Sequence, residues 1–241
     1  MKSSISHVLS FTLMIILTIF TLFISLESTL TKKSILNNLN KINYYDLAFN
    51  NIKEEVSNFV INKEIKNKYL EYFTINMIKS DIKNIINGKS VNRYIDLYNI
   101  IDLYTNDISI NKRYAKEIND IYTYNLFPTR EYNMIHKLYL NNKLFITISV
   151  ITIMIVISVI LLILNKDKKF LKTSILSSSI LLLCPYLVIK IFNIFDKFVY
   201  TNSYFSKFFI TLINNFTFKL FITGLIVIIL LIINKLLNHD S

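Results

Sequence analysis

Four long stretches without a charged side chain fix what this chain can become. Val8–Leu26 runs 19 residues and Leu144–Leu164 runs 21, each long enough to cross the roughly 30 Å hydrocarbon layer as a helix. Thr173–Ile189 is 17 uncharged residues and extends through Ile191–Ile194 if Lys190 snorkels to the interface. Leu220–Asn234 is 15 uncharged residues between Lys219 and Lys235, whose stems must carry both ends to water. Lipid offers backbone groups no hydrogen-bond partner, so apolar runs of this length cross it as helices. The expected fold class is therefore all-α: a polytopic membrane protein with four transmembrane helices and a helical extracytoplasmic domain between the first and second.

Composition agrees. The 241 residues are 53% hydrophobic with only two Gly and two Pro, which excludes disordered, collagen-like and linker classes. One cysteine excludes an internal disulfide framework and a Cys-rich zinc module, and three histidines, at 7, 136 and 239, are too few and too dispersed for a cluster. No P-loop, HExxH, GxSxG or GxGxxG motif occurs.

The reading divides the chain into an N-terminal anchor (1–27), a helical domain (28–143) and a membrane domain (144–241) with helices near 144–164, 173–194 and 217–236. The first segment has no A-x-A-like site at Ser25-Leu-Glu-Ser-Thr, so an uncleaved signal anchor is expected, with removal after about residue 28 as the alternative. The 165–172 loop carries four lysines and one aspartate. By the positive-inside rule that loop and both termini are expected in the cytoplasm, leaving 28–143 outside a cell membrane. That segment holds 17 Lys/Arg against 12 Asp/Glu, +5 net of a total of +11. Charge so placed argues against nucleic acid as a partner and toward anionic lipid or wall polymer, with solvated Lys/Glu faces as the plainer account.

Within 28–143 the apolar period is helical. Phe49, Ile52, Val56, Phe59 and Val60 share one face; Ile75, Ile78, Ile82, Ile85 and Ile86 share another. Thr74 is placed to cap the second of these and Gly88 to close it in a left-handed turn. Ser90 is expected to cap a helix bearing Val91, Tyr94, Ile95, Tyr98 and Ile101. A further helix starts near Asn111 and carries Ile118, Ile121 and Tyr122. Pro128 stops it, and Thr129 is expected to cap a last helix running unbroken into the second span.

At Asn43-Tyr-Tyr, Ile52-Lys-Glu-Glu-Val and Ile78-Lys-Ser-Asp-Ile-Lys-Asn-Ile-Ile-Asn-Gly the chain resembles a group of four-span membrane proteins of low-GC Gram-positive bacteria. The resemblance covers about the first two thirds. It implies the signal anchor, the helical outer domain and the cluster of later spans; it implies no activity, cofactor or catalytic residue.

Several polar clusters merit chemical scrutiny. Asp96, Asp102 and Asp107 could act as paired carboxylates or hold a cation, but six helical residues separate the first two by about 240°, which favours solvated positions. Arg130, Glu131, Tyr132 and His136 form the densest polar group beside the second span and could bind a ligand; a helix start with an exposed first turn is the simpler account. Cys184-Pro185 sits in an apolar span, where a thiol is inert and the proline kinks the helix. Ser174, Ser177, Ser178 and Ser179 suit close helix packing or, less directly, a polar path. Tyr200, Tyr204, Phe205, Phe208, Phe209, Leu212, Ile213 and Phe216 face one way, which reads as an interfacial amphipathic helix over about 200–216; a re-entrant or spanning segment is the alternative.

No catalytic, cofactor-binding or metal residue is assigned, and no cofactor is expected. The function read from this pattern is a non-enzymatic accessory or scaffold subunit of a cell-envelope membrane complex. Its partners are the lipid bilayer and a membrane protein or a second copy of itself. An oligomeric transport or permeability component is the first alternative, and a membrane enzyme with an extracytoplasmic site is the second. Spans without an ionisable residue near the midplane disfavour ion-coupled transport by a monomer.

Overall fold

The structure is a computed structural model of the whole chain, and it describes residues 2–104, 107–165, 168–194 and 204–237, with the backbone alone for 2 and 135–142. Ten helices are described, and no strand occurs among the described residues: α1 Lys2–Thr29, α2 Lys32–Lys41, α3 Tyr44–Phe59, α4 Lys63–Tyr72, α5 Ile75–Ile86, α6 Tyr94–Asp102, α7 Ile108–Leu126, α8 Thr129–Leu164, α9 Lys169–Ile191 and α10 Tyr204–Leu237. Four of them are long and apolar enough to cross a membrane: Ser3–Thr29, Lys143–Leu164, Lys169–Ile191 and Tyr204–Leu237. The chain is a multi-pass, all-α membrane protein.

Two compact units share these helices. The first takes residues 1–31, 136–201 and 210–241; the second takes 32–135 together with 202–209.

In the first unit α9 packs along α1 through small polar residues. Ser10 and Ser174 exchange a hydroxyl contact at 2.7 Å, and Thr18 meets Ser178 at 3.0 Å. Small side chains let the backbones approach, and each hydroxyl can also return a bond to its own helix, as that of Ser174 does to the Phe170 carbonyl. The serine cluster on α9 is thus used in packing: Ser174, Ser178 and Ser179 are buried. Leu13, Ile157 and Leu161 form the apolar centre of this unit, with α8 contributing the two latter. Helix α9 continues through Pro185, and the Cys184 thiol donates to the Ile180 carbonyl of the preceding turn.

The second unit is a bundle built from the expected stripes. Ile52 and Val56 of α3, Ile78 and Ile82 of α5, and Ile118 and Tyr122 of α7 are fully buried. Thr74 caps α5 by accepting from the Met77 N–H, and Gly88 holds φ +80° just beyond its end. Both are as the sequence suggests. Three local readings are corrected. Ser90 does not cap α6; the helix starts at Tyr94, whose N–H donates to the Asn92 side chain. On α6 the core residues are Leu97 and Ile101, while Ile95 is 72% exposed. Thr129 is the first helical residue rather than a cap, and its hydroxyl donates to the Phe127 carbonyl. The short helices α2 and α4 have no counterpart in the sequence reading, because their Lys/Asn-rich faces offer too few apolar residues to mark a period.

Helix α8 runs from Thr129 to Leu164 without a break, as expected. The last helix differs. Residues 204–216 and the last span are one continuous helix of 34 residues, not two elements. No Pro or Gly lies between Tyr204 and Thr223 to interrupt it. Residues 200–203 of the proposed amphipathic segment lie outside the described residues.

Candidate functional site

The helical domain turns a sharp corner between α7 and α8, and its most distinctive surface is built there. Pro128 bars the residue before it from helix, so Phe127 is extended at φ −163°, ψ 145°. The Phe127 ring is thereby driven inward, 2% exposed, against Tyr132 at 5.5 Å and Phe208 at 5.5 Å. Tyr44 stands at the centre, with Tyr204 edge-on at 5.2 Å and Phe205 stacked at 6.3 Å. Burial pushes the Tyr44 phenol well above its ordinary pKa. Its hydroxyl donates to the Leu126 carbonyl at 3.2 Å, and that of Tyr204 donates to the Asn125 carbonyl, so two helix-end carbonyls are satisfied from the side. The Asn125 amide then donates to Glu55 Oε2 at 2.8 Å.

The aromatic face at the start of α10, Tyr204, Phe205 and Phe208, packs against Tyr44 and Phe127. Tyr204 is 8% exposed and Phe208 1%.

Outside this braced corner lies an open groove of about 610 Å³. Phe127, Pro128, Phe205 and Phe209 supply apolar wall, and Tyr124, 77% exposed, Arg130 and Glu131 line it as well. Among the described residues neither Arg130 nor Glu131 forms an ion pair. The groove offers what protein recognition uses: aromatic area, an unpaired guanidinium and an unpaired carboxylate at its rim. The side chain of His136, which the sequence groups with these two, lies outside the described residues.

A second polar constellation lies in the same domain. Asp81 on α5 is 2% exposed and accepts from Arg93 Nη2 at 2.7 Å, Arg93 Nε at 3.0 Å and the Tyr122 hydroxyl at 2.7 Å. Arg93 also reaches Asp96 at 3.3 Å, and the Tyr72 hydroxyl donates to Asp96 at 2.8 Å. Its bonds to Asp81 raise the Arg93 pKa, and burial followed by the bond to Asp81 raises that of Tyr122. The network fastens α5, α6 and α7 together. Asp81 enters the sequence reading only inside the 78–88 motif, with no role given to it, and Arg93 does not enter it. The signal available for Asp81 is a carboxylate three residues after Ile78 and four before Ile85, on the apolar face of α5.

The other aspartates are separated, each with a local task. Asp102 accepts from the Asn111 amide at 3.0 Å. Asp107 caps α7 by accepting from the Ser109 and Ile110 N–H groups, and its bond from the Ser109 hydroxyl, ahead of these, lowers its pKa. Among the described residues no three His, Cys, Asp or Glu side chains are grouped to hold a metal ion. Lys190, noted at the end of the third span, lies 5.8 Å from the centre of the Tyr186 ring.

No protein-family model matches this chain, and comparison with curated proteins and with solved structures finds no match.

Proposed function

We propose that this protein is a non-enzymatic accessory or scaffold subunit of a cell-envelope membrane complex. Its helical domain, residues 28–143, faces out from the cell membrane, and both termini lie in the cytoplasm. The groove beside Pro128 receives a segment of a membrane-protein partner. The observation that supports this reading most is the chemistry of the groove itself. Aromatic wall is enriched at the centre of protein interfaces, arginine likewise, and both rim charges are available to a partner. Asp81, Asp96, Asp102 and the Arg93 guanidinium are by contrast engaged within the fold. The loop 165–172, rich in lysine, supports the orientation through the positive-inside rule.

Partner capture tests the role. A photo-crosslinking residue in place of Tyr124 should yield one discrete adduct with a different membrane protein in living cells, and Arg130→Glu should reduce that adduct several-fold. An adduct of two copies of this chain would replace the scaffold reading with the oligomeric one. Absence of any adduct at Tyr124 would remove the groove as a docking site.

Orientation is tested separately, in a Cys184→Ser background. Ile61 is 88% exposed and Lys168 is exposed, whereas Val60 is fully buried and would not report. Ile61→Cys should react with a membrane-impermeant thiol reagent in intact cells, and Lys168→Cys only after lysis. The reverse pattern would invert the topology.

A further inference from the structure

Helices α9 and α10 touch where Gly224 faces Ser179, and toward the start of α9 and the end of α10 they leave a cleft of about 480 Å³. Each helix contributes both apolar and basic side chains to it. Leu176, Ile228 and Ile232 line the apolar part, and Lys169, Lys172 and Lys235 stand at its mouth. Among the described residues no carboxylate pairs with Lys172 or Lys235. Helix α9 adds positive charge of its own: it begins with no side-chain cap and no acidic residue in its first turn. The positive end of the helix dipole therefore lies beside Lys169 and Lys172. Lys172 and Lys235 over an apolar furrow, at one end of two membrane-crossing helices, match one class of molecule.

We propose that this cleft is a binding site for an anionic phospholipid, with the headgroup phosphate between Lys172 and Lys235 and an acyl chain along Leu176, Ile228 and Ile232. Lysine ammonium groups suit phosphate as point charges on flexible stems. The furrow supplies the contact that distinguishes a held lipid from the general attraction of basic loops to an anionic surface. Thr173 lines the cleft too, but its hydroxyl donates to the Lys169 carbonyl, so the lysines carry the anion.

The test uses the purified full-length protein, delipidated in neutral detergent, with lipid binding followed by native mass spectrometry and by the melting temperature. Dioleoyl phosphatidylglycerol should bind saturably, and dioleoyl phosphatidylcholine, with identical chains, at least tenfold more weakly. Lys172→Gln with Lys235→Gln should weaken phosphatidylglycerol by roughly tenfold or more, the order expected for two lysines near a headgroup. Lys172→Arg with Lys235→Arg should keep it. Ile232→Trp retains every charge but fills the furrow, and should also weaken binding; it decides the matter if the glutamine variant does not fold. Lys63→Gln with Lys66→Gln, in the helical domain, should change nothing. Equal binding of the two lipids, or unchanged binding in both the glutamine and the tryptophan variants, would overturn the proposal. Displacement by inorganic phosphate at the same concentration as by phosphatidylglycerol would overturn it in favour of a free-anion site.

Discussion

Arg93→Ala is expected to cost the helical domain roughly 3–5 kcal/mol, the usual loss when a buried ion pair is broken from one side. The reason is what remains behind. Asp81 is 2% exposed and takes two of its three bonds from the Arg93 guanidinium, one to each carboxylate oxygen. Without that fork the carboxylate keeps only the Tyr122 hydroxyl in a dry setting. Since whole domains are stable by about 5–15 kcal/mol, a large share of the margin is involved. Arg93→Lys should recover only part, because an ammonium cannot reproduce the planar bidentate geometry. Asp81→Asn is expected to be milder, because Arg93 is 28% exposed and can turn its charge toward water. Thermal melting of the full chain in detergent, followed by tyrosine fluorescence, and limited proteolysis between α5 and α6 would both read the difference. Equal melting of Arg93→Ala and wild type would show that the pair contributes nothing net.

The contrast between Asp81 and Ile52 shows where the sequence is legible. Ile52, Val56 and Val60 repeat every four residues, and all three are buried; an apolar stripe is a local property that periodicity detects. So too are the caps at Thr74 and Gly88 and the break at Pro128, each set by one residue's own chemistry. The Asp81–Arg93 pair is not local. It needs α5 and the segment before α6 to meet, and nothing in a single stripe announces that meeting beyond an ill-placed charge. The same limit explains α10. Tyr204, Phe205 and Phe208 do share a face, as their spacing indicates, but a spacing cannot say whether lipid or protein covers that face. Here Tyr44 and Phe127 cover it, and they lie far away along the chain. The groove beside Pro128 is half visible in the sequence: Arg130 and Glu131 stand out as a polar pair, whereas Phe205 and Phe209 are joined to them only by the fold.

Replacing Gly224 by leucine is expected to have the largest effect in the membrane unit, separating α9 from α10. A Cβ at position 224 would lie 2.6 Å from the Ser179 carbonyl oxygen, 3.1 Å from Leu183 Cδ2 and 3.3 Å from Leu182 Cβ. The nearest of these is backbone, so no rotamer change relieves it. Helix association in lipid depends on such close approach, because the apolar environment gives no hydrophobic drive to bring helices together. Even alanine requires the helices to move apart. Leucine also places its branched side chain where Leu182 and Leu183 already pack, and overpacking costs typically about 1–3 kcal/mol before any loss of neighbouring contacts. The ring contacts of Tyr186 with Phe218 and Phe221, at 5.5 and 5.0 Å, lie along the same helix pair and should loosen with it. A cysteine pair at Ser179 and Gly224 could not report this, since it replaces the glycine itself. Tyr186→Cys with Phe221→Cys, in a Cys184→Ser background and joined by a short thiol crosslinker in native membranes, provides the measurement. Crosslinking should be efficient with Gly224 intact and fall several-fold with Gly224→Leu, while Gly88→Ala, a change in the helical domain, leaves it unaltered. Undiminished crosslinking in the Gly224→Leu variant would mean that the two helices do not need the contact at this glycine to stay together.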